Sequence, residues 1–141
     1  MTAEDRQRAA VIATATGSYP PGAARALFVE IHESHAAVLL DTGSETHSYP
    51  YFVLCRLNDD GRWSEGHSAN FPGWYQTEDD AGVVVFWGDT NSVDEPIEVV
   101  FRGERWPAQT AGGMFFIAWW DELDPGNLIE PNWPQVASKA R

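Results

Sequence analysis

Apolar and polar residues follow one pattern in the first two dozen or so positions of this chain and another beyond them. Residues 3–14 read as a helix. Thr2 can cap its first turn, and Asp5 stands three residues on as a shorter form of the usual capping-box Glu. Glu4 and Asp5 both favour the positive end of the helix dipole. Ala9, Ala10, Ile12 and Ala13 supply the predicted apolar stripe, and Gly17, Pro20, Pro21 and Gly22 prevent the helix from continuing.

From Ala26 onward the pattern is that of short strands and turns. Residues 27–33 alternate, with Leu27, Val29 and Ile31 predicted on one face and Glu30 and His32 on the other. Residues 36–41 follow after only Ser34 and His35, which predicts a tight hairpin. Residues 49–57 are apolar on both faces from Tyr51 to Leu54, as in a strand covered on both sides, with Pro50 at its start or at a bulge. Asn58-Asp59-Asp60-Gly61 is the strongest hairpin signal and leads into residues 62–67. A Gly/Pro-rich loop is predicted over residues 70–75, an acidic turn over 78–82, and strands over 83–87 and 97–101. Gly103 allows a tight return through Arg105 and Trp106, and residues 114–120 read as a central strand.

The pattern predicts a mainly β chain: an antiparallel β-sandwich or flattened barrel of about eight strands with one short N-terminal α-helix. Nothing alternates strand with helix after residue 25, which disfavours a doubly wound fold. One domain is expected over residues 1–141, with the helix at 3–14, the β-sandwich at 26–121 and a tail at 122–141. That tail, with Pro125, Gly126, Pro131 and Pro134, is expected to lie extended over the surface, pinned by Trp133.

A resemblance appears along residues 27–121. Its elements are Cys55-Arg56, Asp60-Gly61-Arg62-Trp63, Ser68-Ala69-Asn70, Gly73-Trp74, Phe86-Trp87-Gly88, Phe101-Arg102-Gly103, Met114-Phe115-Phe116 and Trp119-Trp120. This succession resembles a group of small bacterial β-sandwich proteins without an assigned activity. The resemblance implies a sandwich and transfers no catalytic residue. The Asp60–Trp63 segment is also similar to one in nuclear-transport-factor-like α+β barrels, a family that opens with a longer helical section than this chain offers.

Length and charge narrow the possibilities. The 141 residues suffice for a real core without a disulfide, and the lone Cys55 cannot form one internally. A lone thiol fits a reducing compartment, with an exported protein lacking disulfides left open. The charged N-terminus adjoins no apolar run of signal-peptide length, and no segment approaches the ~20 apolar residues of a membrane helix. A soluble cytoplasmic protein is the expectation. The net charge of −12 argues against nucleic acid and anionic membrane surfaces as partners, and permits attraction to basic ones.

Few constellations carry chemistry. His32, His35, His47 and His67 invite a metal reading, with Glu33 and Glu65 beside them. However, His32 and His35 would point to opposite faces of one strand, so no metal site and no cofactor are expected. Cys55 shares strand parity with Tyr51, Val53 and Leu57 and reads as a small core residue. Asp41-Thr42-Gly43 spells the aspartic-protease tripeptide once, at an ordinary turn position. Asp59-Asp60, Glu78-Asp79-Asp80, Asp94-Glu95 and Asp121-Glu122 fall at predicted turns, where Asp bonds its neighbouring backbone.

Aromatic content is the least ordinary feature. Seven tryptophans exceed what one small core readily encloses, since each buries roughly 150–250 Å². Trp63, His67, Trp74, Tyr75 and Trp87, together with the acidic Glu78, Asp79 and Asp80, form the candidate binding set; Trp74 is the favoured anchor, placed on the Gly/Pro loop. The first functional reading is a non-enzymatic binding module, an acidic protein-interaction domain that inhibits or escorts a basic partner. The alternative is a small-molecule binding protein or cofactor-free isomerase or cyclase. Its apolar ligand would occupy an aromatic-lined pocket in the β structure, with His67, Glu65 or Tyr75 as a polar handle.

Overall fold

The computed structural model describes residues 2–43, 49–69, 73–76, 82–90, 97–120 and 133–137. The protein is mainly β, with one short N-terminal helix and antiparallel sheets; no sheet closes into a barrel among the described residues. Strand residues outnumber helical ones by more than two to one. The chain divides into two compact units, residues 1–71 and 72–141.

The first unit is a helix laid over a four-stranded meander. Helix α1 (Ala3–Thr16) opens with the full capping box: Thr2 Oγ1 accepts the Asp5 N–H, and the Asp5 carboxylate accepts the Thr2 N–H. Strands β1 (Arg25–His32), β2 (His35–Asp41), β3 (Pro50–Leu57) and β4 (Trp63–Ala69) pair in chain order. Val11 and Ala15, one turn apart, seat α1 on Ala36, Val38, Leu40, Val53 and Cys55, all fully or almost fully buried. The opposite face of this sheet is buried too, through Phe28, Ala37, Leu39, Phe52 and Leu54. Val11 and Ala15 replace the expected stripe: Ala9, Ala10 and Ala13 are exposed and Ile12 is half-buried. The segment is apolar around much of its circumference, so packing on the sheet chose the face.

Both outer strands of the meander carry a β-bulge. In β1 the register passes from Ala26↔Leu40 to Phe28↔Leu39, leaving Leu27 unopposed. Ala26, Val29 and Ile31 therefore share the helix side, in place of the expected Leu27, Val29 and Ile31. In β4 the register passes from Cys55↔Glu65 to Val53↔Ser68, so Gly66 and His67 oppose Leu54 together. The Asn58–Gly61 turn forms as its sequence predicts. Gly61 donates to Asn58 O, and Asp60 accepts the Arg62 N–H.

The second unit packs two sheets face to face. One is ordered β5 (Gly73–Gln76), β6 (Val84–Asp89), β10 (Met114–Trp119), β9 (Gln109–Ala111). The other is ordered β11 (Gln135–Val136), β7 (Glu98–Phe101), β8 (Glu104–Pro107). Val84, Phe115, Ile117 and Trp119 meet Ile97, Val99 and Phe101 in the core between them, with Phe86, Trp106 and Ala108 at its margin. The chain reverses at Arg102-Gly103 and at Gly112-Gly113. All four residues have positive φ, the conformation in which a two-residue hairpin matches strand twist.

Two expectations change here. Residues 73–76 form strand β5, with Trp74 opposite Phe86 and Tyr75 opposite Val85. Pro72 lacks an N–H to pair, but Gly73 onward has every backbone group the ladder needs. The described part of the tail is extended and mostly exposed, and Gln135–Val136 additionally pairs with Val99 and Val100 of β7, which the sequence did not predict. Among the described residues the eleven strands exceed the expected eight because segments of two to four residues carry too little pattern to be read.

Gly88 stands opposite Phe115, and a Cβ built on it would lie 2.7 and 2.9 Å from that ring. Gly88→Ala should therefore destabilise the protein by about 1–3 kcal/mol in a denaturant titration. Adding Phe115→Leu should make the double variant less unstable than the sum of the singles.

Candidate functional site

The sequence-derived candidates are placed as follows. Trp63 opens β4 and is half-buried against the first unit's core. His67 lies in the β4 bulge. Trp74 and Tyr75 occupy β5, beside β6. Trp87 is 1% exposed and belongs to the interior. Glu78, Asp79 and Asp80 lie outside the described residues, as do Asp94, Glu95, Asp121 and Glu122. Trp63 and His67 thus share β4, while Trp74, Tyr75 and Trp87 share a pair of neighbouring strands. His32 and His35 face each other as the closing pair of the β1–β2 hairpin, across Glu33 and Ser34, and do not point apart as expected on one strand. Among the described residues, no group of three or more His, Cys, Asp or Glu side chains converges.

Two groups with shifted acidity serve the fold. Cys55 is fully buried, and burial, with Glu65 opposite it adding to the effect, pushes its thiol up to about 12. Asp41 is 3% exposed. Its carboxylate accepts the Gly43 N–H at 2.9 Å and the Tyr49 N–H at 3.0 Å, and receives Arg25 Nη2 at 2.8 Å. Burial alone would raise this carboxyl. The Tyr49 and Gly43 N–H groups and the Arg25 guanidinium outweigh it and hold Asp41 below its ordinary value. The Asp41-Thr42-Gly43 tripeptide is thus the clamp that ties Gly43 and Tyr49 to the end of β2.

Two of the hollows lined by described residues bear on function. In the second unit, Phe101, Arg102, Glu104, Trp106 and Trp119 enclose about 240 Å³. The indoles of Trp106 and Trp119 meet edge to face at 6.1 Å, and Trp106 Nε1 donates to Phe101 O at 3.4 Å. Trp119 Nε1 is buried without a hydrogen-bond partner among the described residues, so it offers no handle to a solvated ligand. This volume lies below the roughly 300–1,000 Å³ of ordinary small-molecule sites.

The larger hollow, about 500 Å³, is an open groove in the first unit, lined by Glu4, Gln7, Arg8, Val29, Ile31 and Glu33. Its walls are the first two turns of α1 and the outer strand of the meander. Val29 and Ile31 are half-buried apolar residues beneath it, Glu4 and Glu33 are exposed carboxylates, and Arg8 spans it to reach Val29 O at 3.3 Å. None of the sequence-derived candidates lines it. Alternation did place Val29 and Ile31 on one face, but nothing local shows that β1 lies at an edge or that α1 stops short of covering it.

No family model, curated protein or solved structure matches the chain. No helix among the described residues is long and apolar enough to cross a membrane.

Two chemical predictions follow from the buried groups. The folded Asp41 carboxyl titrates below its unfolded value of ~3.9, so its stabilisation is present above that pH and is lost as pH falls through the folded value. Asp41→Asn should cost about 1–3 kcal/mol at neutral pH, and urea titrations should show the gap from the parent narrowing below pH ~4. Cys55 should react with a thiol reagent far more slowly in the native protein than in the unfolded chain, measured by absorbance of the released chromophore.

Proposed function

We propose that this protein is a non-enzymatic interaction module that docks a basic partner protein on the groove between α1 and β1. The observation that carries this reading is the groove itself: an open, mostly polar hollow of about 500 Å³ with Val29 and Ile31 beneath it, two carboxylates, and β1, an edge strand among the described residues, along one wall. An open groove of this kind suits a polypeptide better than a small molecule, which binds where most of its surface is enclosed. The chain's net charge of −12 supports a basic partner, since long-range attraction raises the association rate while apolar contact slows release. Inhibition or escort of such a partner is the concrete role we assign to it, in the cytoplasm.

The alternative, an apolar small ligand, draws its support from the hollow of about 240 Å³ that Trp106 and Trp119 line. That volume admits only a fragment-sized molecule.

Affinity capture from the source cell at low salt, with parent and Glu4→Arg/Glu33→Arg proteins side by side, separates the readings. The parent should recover a basic protein that the doubly reversed variant loses, with both proteins giving the same circular dichroism. Equal recovery would remove the groove as the docking surface, and a co-purified apolar compound bound near Trp106 would favour the alternative.

A further inference from the structure

In an antiparallel pair, backbone groups of alternate residues turn away from the partner strand. Leu57 donates its N–H to Ser34 O at 2.7 Å, which turns the even-numbered residues of β2 toward β3 and the odd-numbered ones toward β1. Through the register His32↔His35, Glu30↔Ala37 and Phe28↔Leu39, β1 spends the backbone groups of its even-numbered residues on β2. The N–H and C=O groups of Val29 and Ile31 therefore point outward, along the groove. Arg8 reports the same direction, because its guanidinium reaches Val29 O from the helix side. That carbonyl retains a second lone pair.

We propose that the groove takes an extended, basic segment of the partner as an added strand, antiparallel to β1 and pairing with Val29 and Ile31. This deepens the docking reading above and rests on it. The bulge at Leu27 ends the regular register on one side, and the turn at Glu33, with φ of 54°, ends it on the other. Between them lies one short, straight window in an edge strand, the geometry that strand addition uses. Alternation along the added strand sends half its side chains toward Val29, Ile31, Glu4 and Glu33 and half toward Glu30. On the groove face, lysine or arginine meets Glu4 or Glu33. Within the groove, two carboxylates stand against the single Arg8 guanidinium.

A second copy of the chain is the competing occupant, and charge disfavours it. The register that uses Val29 and Ile31 on both copies sets Glu30 opposite Glu30, doubles Glu4 and Glu33 around one seam, and joins two chains of −12 each. Like charges directly opposite destabilise a strand pair.

The test uses the full chain and a blocked peptide of about seven residues alternating Lys and Val. Its controls are a Glu/Val peptide, the Lys/Val peptide N-methylated at two adjacent central residues so that both edges are blocked, and a helical peptide of equal positive charge. The Lys/Val peptide should bind and shift the amide resonances of Val29 and Ile31. N-methylation should weaken it roughly tenfold, as loss of the one N–H that faces β1 and the clash of its methyl group with that strand predict. The Glu/Val peptide and the Glu4→Lys/Glu33→Lys protein should each show a similar loss. Equal affinity for the N-methylated or the helical peptide would overturn the added strand while leaving basic docking intact. Failure of every basic peptide, with the groove resonances unmoved, would overturn both. A dimer by sedimentation, with the Val29 and Ile31 amides protected from exchange, would assign the edge to a second copy.

Discussion

The architecture of the first unit depends on how α1 is seated. Of its fourteen residues only Val11 and Ala15 are fully buried, and both lie in its later turns. Both belong to one buried cluster with Ala36, Val38, Leu40, Val53 and Cys55 of the sheet. Residues 2–10 have no fully buried side chain, so burial alone does little to hold the first two turns. The reciprocal bonds between Thr2 and Asp5 close that end against fraying. Those first turns stand beside β1 without covering it, which is why a groove exists where a longer apolar stripe would have sealed one.

Edge strands are a general liability, and bulges are a common way of managing them. The two edges of this meander are treated differently. In β4 the bulge at Gly66 and His67 falls in the middle of the strand and breaks its regular run of outward groups. In β1 the bulge falls at Leu27, near the start, and the run from Phe28 to His32 stays regular. Arg8 covers one carbonyl of that run. The asymmetry is the physical basis for reading β1 as the edge that receives a partner.

Tryptophan, which the composition marks as excessive, is used mostly in packing. Trp87 and Trp119 are core residues, and Trp63 and Trp106 are half-buried against the two cores. Two faces of sheet per unit give aromatic side chains more buried surface than a single small core would. Asp41 follows the same economy among polar groups, since its buried carboxylate is tolerated because two N–H groups and a guanidinium surround it.

Much of this was legible in the sequence wherever the signal is local. The Thr2–Asp5 cap, the turn at Asn58–Gly61, the hairpin after His32 and the buried strand around Cys55 each depend on residues a few positions apart, and each forms. Elements that depend on distant partners were not legible. Residues 73–76 and 135–136 are strands only because β6 and β7 lie beside them. The helix buries Val11 and Ala15 instead of Ala9 and Ile12 because the sheet, not the helix's own periodicity, selects the face. The sequence by itself determined a mainly β chain, its N-terminal helix and its net negative charge, because composition, capping and alternation are written in neighbouring residues. Only the tertiary structure decided which strands lie at the edges, where the bulges fall and that Glu4, Arg8, Val29, Ile31 and Glu33 share one groove. Being at an edge is a relation among strands far apart in the chain, and no residue carries a mark of it.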